Sequence, residues 1–165
     1  MTAVRIREEP ADGAAARRLY AEYMQLLRDR LGAEFAPSER IFATEDAFSG
    51  DGGAWLVAYG DDGRPVACGG LRTLAPGVGE IKRMFVIASE RGSGLGRRLL
   101  RELERRAAAY GHRCVRLLTT EALHEAAALY AAEGYRVVER IERPGEPVEI
   151  WLEKQLPGRR GARYS

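Results

Sequence analysis

The stretch Arg91-Gly92-Ser93-Gly94-Leu95-Gly96 lies between an extended apolar segment that ends at Val86-Ile87 and a long amphipathic segment that begins at Gly94. Its three glycines let backbone N–H groups converge at angles that a β-carbon forbids. The first turn of a following helix adds N–H donors without partners and the positive end of the helix dipole. The stretch therefore predicts a strand, a tight loop and a helix N-terminus that together suit a phosphate group.

Two phosphate-binding motifs with known mechanics do not fit this stretch. A Walker-type loop requires Lys and then Ser or Thr after its last glycine, whereas Gly96 is followed by Arg97-Arg98. A dinucleotide-binding loop requires the spacing G-x-G-x-x-G inside a repeating βαβ unit, whereas these glycines lie at 92, 94 and 96 after three consecutive strand-like segments. At this point, a plain tight connection between a strand and a helix stays open as the alternative.

The composition predicts one compact domain. The chain has 165 residues, of which 45% are hydrophobic and 30% charged, enough for a single core. We place the domain at residues 1–156 and expect a disordered tail at 157–165, which is rich in Gly and Arg and has no hydrophobic periodicity. The chain starts without an apolar signal segment and has no run of about 18 apolar residues, so we expect a cytoplasmic protein without membrane contact.

Charge and cysteine content argue against several function classes. The 26 basic and 24 acidic residues leave a net charge of +2, so charge supplies no general attraction to nucleic acid. The arginine-rich face of the segment after Gly94 also lacks the aromatic residues that would stack on bases. Cys68 and Cys114 lie in strand-like segments, where two buried thiols explain them more simply than a disulfide or a metal site.

Hydrophobic periodicity and turn residues predict a mixed order of strands and helices. Strands are predicted near residues 4–7, 55–59, 66–74, 80–86, 114–120, 135–141 and 148–152. Helices are predicted near residues 10–32, 94–110 and 123–133, with a short helical turn near 46–48. Asp61-Asp62-Gly63 forms a hairpin turn between the second and third strands, and Gly77-Val78-Gly79 turns the chain into the fourth. This order predicts an α/β chain with one mixed sheet and helices on both faces.

This order, with Arg91-x-x-Gly94-x-Gly96 after the strand Glu80–Val86 and with the later segment Ala126-Ala-Ala-Leu-Tyr130-Ala-Ala-Glu-Gly134-Tyr135, resembles the GNAT superfamily of acyl-CoA-dependent N-acyltransferases. The resemblance covers about Val4 to Leu152. It implies a GNAT-type fold, with a mostly antiparallel sheet of about seven strands in which strands four and five splay apart. Acetyl-CoA would enter the gap as a co-substrate, and no metal is implied.

The resemblance also implies how the co-substrate binds. The pyrophosphate would accept hydrogen bonds from the backbone of Arg91, Gly92, Ser93, Gly94, Leu95 and Gly96. The pantetheine arm would pair like an added strand with the main chain of Met84, Phe85 and Val86. By the same register, the Met84 N–H would point at the thioester carbonyl and stabilise the charge that develops there during attack.

Two side chains match positions at which the family places catalytic groups. An amine near pKa 10 is about a thousandfold more protonated than free at pH 7, so a base is needed, and Glu80 matches the base glutamate of the histone-acetylating branch. Glu80 precedes Met84 by four residues, about 13 Å along a strand, so a water relay is implied. Tyr130 matches the tyrosine that protonates the departing thiolate. The alternatives are a strand-end or substrate-positioning Glu80 and a core-packing Tyr130.

The acceptor stays undefined at this level. In the family, the first helical region and the loop between the last two strands build the acceptor pocket, and here they contain Tyr20, Tyr23, Arg28, Phe35, Arg143 and Glu146. Arg83 would suit an acceptor carboxylate or a surface ion pair, and His124 is expected to be exposed or structural.

The resemblance implies an N-acetyltransferase that moves an acetyl group from acetyl-CoA to a primary amine of a small molecule or peptide in a ternary complex. A homodimer is compatible with this reading. The alternative is a non-catalytic module that binds or senses acyl-CoA.

Overall fold

A computed structural model describes residues 3–38 and 42–158. Within these residues, seven strands form one sheet in the order β1-β2-β3-β4-β5-β7-β6. The strands are β1 (Arg5–Glu8), β2 (Ala54–Tyr59), β3 (Pro65–Ala75), β4 (Val78–Val86), β5 (Cys114–Thr119), β6 (Arg136–Ile141) and β7 (Glu149–Gln155). The helices are α1 (Ala14–Leu31), α2 (Leu95–Ala109) and α3 (His124–Ala132), with short 3-10 turns at Glu45–Phe48 and Ala88–Glu90. Most of the predicted tail, residues 159–165, lies outside the described residues.

The sheet is mixed, as the order of elements predicts, and mostly antiparallel, as the resemblance implies. All neighbouring strands run antiparallel except β4 and β5, which run parallel with α2 as their crossover. No helix in the described ranges is long and apolar enough to cross a bilayer.

The two turns that the sequence predicts before β4 differ in outcome. Asp61-Asp62-Gly63 forms the hairpin turn, with Gly63 at a φ of +77° and Asp62 Oδ1 accepting a bond of 3.0 Å from the Arg64 N–H. The turn predicted at Gly77-Val78-Gly79 is wrong in extent, because Val78 and Gly79 already belong to β4. A β-carbon on Gly79 would lie 3.0 Å from Leu71 Cδ1, so this glycine serves close packing rather than the turn.

Helices cover both faces of the sheet, each over its own apolar cluster. On the first face, here called the α1 face, Leu19 of α1 packs with Phe48, Trp55 and Phe85. On the opposite face, called the α2 face, the predicted apolar stripe of α2 packs over the central strands. The buried members of that stripe are Leu95, Leu99, Leu103 and Ala107.

A bulge in β4 opens the sheet beside β5. β4 pairs with β5 only from Val78 to Ile81, so Lys82–Val86 have no partner on that side. The β3–β4 register shifts between Cys68 and Gly70, opposite Lys82 and Phe85, and Arg83 between them has a φ of +56°. The extra residue places both Lys82 and Arg83 on the α1 face. The predicted splaying of strands four and five is therefore confirmed.

Candidate active site

The glycine-rich loop connects β4 to α2 in a conformation that only glycine adopts easily. Gly92 and Gly94 have φ values of +81° and +83°, and a β-carbon at either would meet no atom within 4 Å. The requirement for glycine is thus conformational rather than steric. The Ser93 hydroxyl donates to the Glu90 carbonyl at 2.6 Å and the Arg91 Nε to the Val86 carbonyl at 3.1 Å, and both bonds hold the loop.

The loop presents a row of backbone N–H groups without partners. In the described chain, the first N–H of α2 that makes a backbone hydrogen bond is that of Arg98, which donates to the Gly94 carbonyl at 3.1 Å. The N–H groups of residues 92–97 donate to no backbone or side-chain acceptor in residues 3–38 and 42–158. Converging donors at the positive end of a helix dipole form an anion site. This geometry supports the predicted phosphate site over a plain tight connection.

The gap beyond Ile81 leads away from this anion site along β4. Its floor is the edge of Lys82–Val86 that β5 leaves unpaired. A β-carbon on Gly96 would lie 3.3 Å from Leu129 Cδ2 and 3.6 Å from Val86 Cγ2, so α2, α3 and β4 approach one another closely at this end. Phe85 points into the α1-face cluster and its ring lies 5.7 Å from that of Tyr23. The main chain of Met84, Phe85 and Val86 is thus left to line the gap.

Tyr130 of α3 is buried, with its ring 5.8 Å from that of Tyr135. Burial raises the pKa of the Tyr130 hydroxyl, and an electrostatic effect of Tyr23 adds to the rise. Among the described residues, no group accepts or donates a hydrogen bond at this hydroxyl. Tyr130 is therefore a protonated phenol at neutral pH whose donor is not engaged by any of residues 3–38 and 42–158.

Glu80 is more enclosed than the sequence suggests. Its side chain is 0% exposed, and its Oε1 accepts a bond of 2.6 Å from Arg72 Nε of β3. Lys82 Nζ lies 3.8 Å from the same oxygen, while Oε2 is buried and has no hydrogen-bond partner among the described residues. Glu80 does not line the cavity described below, so a proton could reach it from there only through an intervening group.

A cavity of about 590 Å³ lies on the α1 face beside the gap. Its volume falls within the roughly 300–1,000 Å³ typical of small-molecule sites. Of the residues that the sequence suggests for an acceptor pocket, Tyr20, Tyr23, Phe35 and Glu146 line it, as does Arg83.

Two other residues of that set do not line the cavity. Arg28 is exposed, and Arg143 instead donates to Glu149 Oε1 at 2.8 Å. His124 is exposed, as expected.

The sequence-based reasoning missed Lys82, which lines the cavity wall formed by β4. The signal was present, because strand alternation places Lys82 on the same face as Glu80.

Arg83 is held from several sides. Its guanidinium lies 4.4 Å from the Tyr20 ring centroid and 5.3 Å from that of Phe48. Its Nη2 donates to the Ala43 carbonyl at 2.6 Å, and its Nη1 lies 3.4 Å from Glu45 Oε1. These contacts stabilise a left-handed backbone that a non-glycine residue adopts at a cost of about 1–2 kcal/mol.

Cysteines and acidic residues form no second site in the part of the chain that the structure describes. Cys68 and Cys114 are buried free thiols, and burial raises the pKa of Cys68 to about 12. Residues 3–38 and 42–158 contain no group of three or more His, Cys, Asp or Glu that could hold a metal ion.

The family comparison agrees with this geometry. The model of the GNAT acetyltransferase family matches residues 14–135, which is more than half of the chain. The chain belongs to the GNAT family. The resemblance inferred from the glycine loop and the fold class are thereby confirmed, and this family is one of acyl-CoA-dependent N-acyltransferases.

The sequence identity to individual relatives is low to moderate. The chain is 35% identical to an IAA acetyltransferase of Azospirillum brasilense over 96 residues, which span 57% of this chain and 63% of that protein, less than two thirds of its length. The structure of an IAA acetyltransferase from Bacillus cereus has a TM-score of 0.64 and 25% identity over 93% of this chain and 100% of that one. A GNAT acetyltransferase from Elizabethkingia anophelis, whose crystal structure holds acetyl-CoA, shares the fold, with a TM-score of 0.65 and 19% identity over 93% and 98% of the two chains.

Proposed function

We propose that this protein transfers an acetyl group from acetyl-CoA to a primary amine by direct attack in a ternary complex. The observation that carries the proposal is the continuity of three features: the unpaired N–H groups of residues 92–97, the unpaired edge of β4 beyond Ile81, and the cavity on the α1 face. They suit, in this order, a pyrophosphate, an extended amide-containing arm and an amine acceptor.

The backbone carries the binding of the co-substrate. The N–H groups of residues 92–96 bind the pyrophosphate beside Arg91, whose own N–H donates to the Ala88 carbonyl at 3.3 Å, and the main chain of Met84, Phe85 and Val86 pairs with the pantetheine amides. The Met84 N–H follows the bulge directly, where the chain leaves the regular ladder. This N–H donor stabilises the oxygen of the thioester carbonyl as negative charge develops on it.

Two side chains move protons in the proposed reaction. The amine nitrogen attacks the thioester carbonyl carbon, the C–S bond breaks, and one amine proton leaves through water to Glu80. The buried Glu80 Oε2 without a partner supports this role, because a water there would satisfy it and link it to the cavity. Tyr130 donates its phenolic proton to the departing sulfur and regains one from solvent. The Tyr130 hydroxyl makes no hydrogen bond among the described residues, which supports this assignment.

The cavity favours a small-molecule acceptor over a peptide. It is bounded by α1, by the segment after it and by the loop between β6 and β7, which leaves room for a compact ligand rather than an extended chain. The name shared by the relatives from Azospirillum and Bacillus, IAA acetyltransferase, is consistent with a small acceptor.

The test combines calorimetry with a thiol-release assay. Coenzyme A should bind the purified protein, and acetyl-CoA should release free thiol in the presence of at least one member of a panel of primary amines. Binding of coenzyme A without thiol release across the whole panel would instead support a non-catalytic module that senses acyl-CoA. Absence of any binding at millimolar coenzyme A would overturn both functions.

A further inference from the structure

The β4 wall of the cavity carries a largely enclosed ammonium group that the proposed mechanism does not use. The Lys82 side chain is 12% exposed, and its nearest carboxylate oxygen in the described chain, Glu80 Oε1, lies 3.8 Å away. Within residues 3–38 and 42–158, Nζ makes no hydrogen bond at 3.5 Å or less. A buried amine with three donors and no close acceptor is costly unless something else binds it.

The charges around Lys82 do not balance it. Glu80 is shared with Arg72, whose Nε holds the same oxygen at 2.6 Å, so two cations face one carboxylate. The adjacent Arg83 forms an ion pair with Glu45, whose side chain is 46% exposed, at 3.4 Å. Of the described residues that line the cavity itself, Lys82 and Arg83 are the cationic ones, and both lie on its β4 wall. The other walls contribute three carboxylates. Glu34 is exposed, Glu149 accepts from Arg143 at 2.8 Å, and Glu146 has contacts of its own.

The remainder of the cavity wall is largely apolar. Tyr23, Met24 and Leu27 of α1 contribute to it, and Phe35 and Phe42 lie on the segment that follows α1. An apolar wall opposite the two cationic side chains of β4 favours a ligand with an apolar or aromatic body and a negative group directed at β4. A polyamine or another purely cationic acceptor would instead meet Lys82 and Arg83 with like charge.

We propose that the acceptor is an amine that also carries a carboxylate, such as an apolar or aromatic amino acid, and that Lys82 binds this carboxylate. The proposal rests on the proposed function, because it names the substrate class of the same cavity. Lys82 precedes Met84 by two residues, about 7 Å along a strand. An amine held at a thioester beside the Met84 N–H therefore has its own carboxylate within reach of the flexible lysine stem.

The pH dependence follows from the surroundings of Lys82. Burial lowers the pKa of Lys82, the nearby Glu80 counteracts part of this shift, and Arg72 and Arg83 add to it. A bound carboxylate favours the charged ammonium and raises this pKa again. Affinity for a carboxylate acceptor should consequently fall as pH rises through the lowered pKa, whereas affinity for a neutral analogue should not.

A kinetic experiment tests specificity with Lys82→Met, which removes the charge and keeps an unbranched stem. For phenylalanine, the substitution should raise KM about 10- to 100-fold, the value of one charge-assisted hydrogen bond. For phenylalanine amide, KM should stay the same. Lys154→Met makes the same change at the other lysine of the chain, which binds Glu104 at 3.0 Å, and should alter neither KM. An equal fall of kcat for both acceptors in Lys82→Met would place Lys82 in proton removal and overturn the proposal.

A binding experiment keeps the proposal separate from catalysis. Reductive ¹³C-methylation labels Lys82 and Lys154, the two lysines of the chain, and the amino terminus, and Lys82→Met assigns the signals. Titration with 3-phenylpropionate should shift the Lys82 signal and raise its pKa, whereas 3-phenylpropionamide should not. If the Lys82 signal shifts but no amine is acetylated, the carboxylate site is supported and the proposed acetyl transfer is wrong. If the Lys82 signal does not shift with 3-phenylpropionate while amines are acetylated, the proposed transfer is supported and the carboxylate proposal is wrong.

Discussion

Two buried tyrosines beside the site allow the proposed acid to be separated from a packing residue. The rings of Tyr130 and Tyr135 lie 5.8 Å apart, but their hydroxyls have different surroundings. Tyr135 donates to Glu104 Oε1 at 3.0 Å, whereas the Tyr130 hydroxyl makes no hydrogen bond among the described residues. Tyr130→Phe and Tyr135→Phe each delete one oxygen and keep the ring, so they form a matched pair.

The structure predicts opposite effects for the two variants. Tyr130→Phe removes no hydrogen bond, so its free energy of unfolding should stay within about 0.5 kcal/mol of the parent value. Loss of a general acid should lower kcat about 10²- to 10⁴-fold. Tyr135→Phe deletes a hydrogen bond to a carboxylate, which costs about 1.5–3 kcal/mol. At about 2–4 °C per kcal/mol, its Tm should fall roughly 3–12 °C while kcat is retained.

Thiol release from acetyl-CoA between pH 6 and 9.5, with thermal unfolding of the same samples, measures both quantities. Thiolate departs unaided above the thiol pKa of about 8.5, so the defect of Tyr130→Phe should be largest below that pH and should shrink above it. Turnover of Tyr130→Phe that equals the parent at every pH would refute the acid assignment. A defect of constant size across the range would indicate that Tyr130 shapes the site without donating a proton.

Two further predictions concern the phosphate loop and acid stability. Gly94→Ala forces a β-carbon into a φ of +83°, at about 1–2 kcal/mol, and should weaken coenzyme A binding about 5- to 30-fold by calorimetry. Gly63→Ala imposes the same strain at a φ of +77° in a distant hairpin and should leave the affinity for coenzyme A unchanged. Equal affinities of the two variants would show that the loop is not the anion site. The hydrogen bond from Arg30 lowers the pKa of Glu125 from 4.5 to about 2, so this pair contributes stability above pH 4.5 that is lost as pH falls toward 2. Glu125→Gln should make Tm less dependent on pH in that window, by a small amount because the carboxylate is exposed, and an unaltered pH dependence would contradict the assignment.

The sequence predicts well wherever neighbouring residues decide the conformation. The glycine loop is the clearest case, because the left-handed backbone at Gly92 and Gly94 is a property of glycine itself. The hairpin at Asp61-Asp62-Gly63 is a second case. Gly79 shows the limit of the same reasoning, since a glycine required for packing against Leu71 has the same local signature as a glycine required for a turn.

The candidate site is predicted less completely, because its side chains depend on contacts distant in sequence. The position of Glu80 on β4 is readable from the sequence, but its enclosure depends on the β3 register, which places Arg72 directly opposite. Arg143 lies in a loop that the resemblance assigns to the acceptor pocket, yet its side chain donates to Glu149 and does not line the cavity.

Local chemistry along the chain therefore decides the GNAT fold and the phosphate loop, because hydrophobic periodicity and glycine conformations act over a few residues. Tertiary structure alone decides which charges line the cavity. Uniform strand alternation would place Lys82 and Arg83 on opposite faces of the sheet, and only the bulge, which depends on how β4 pairs with β3, brings both to the α1 face.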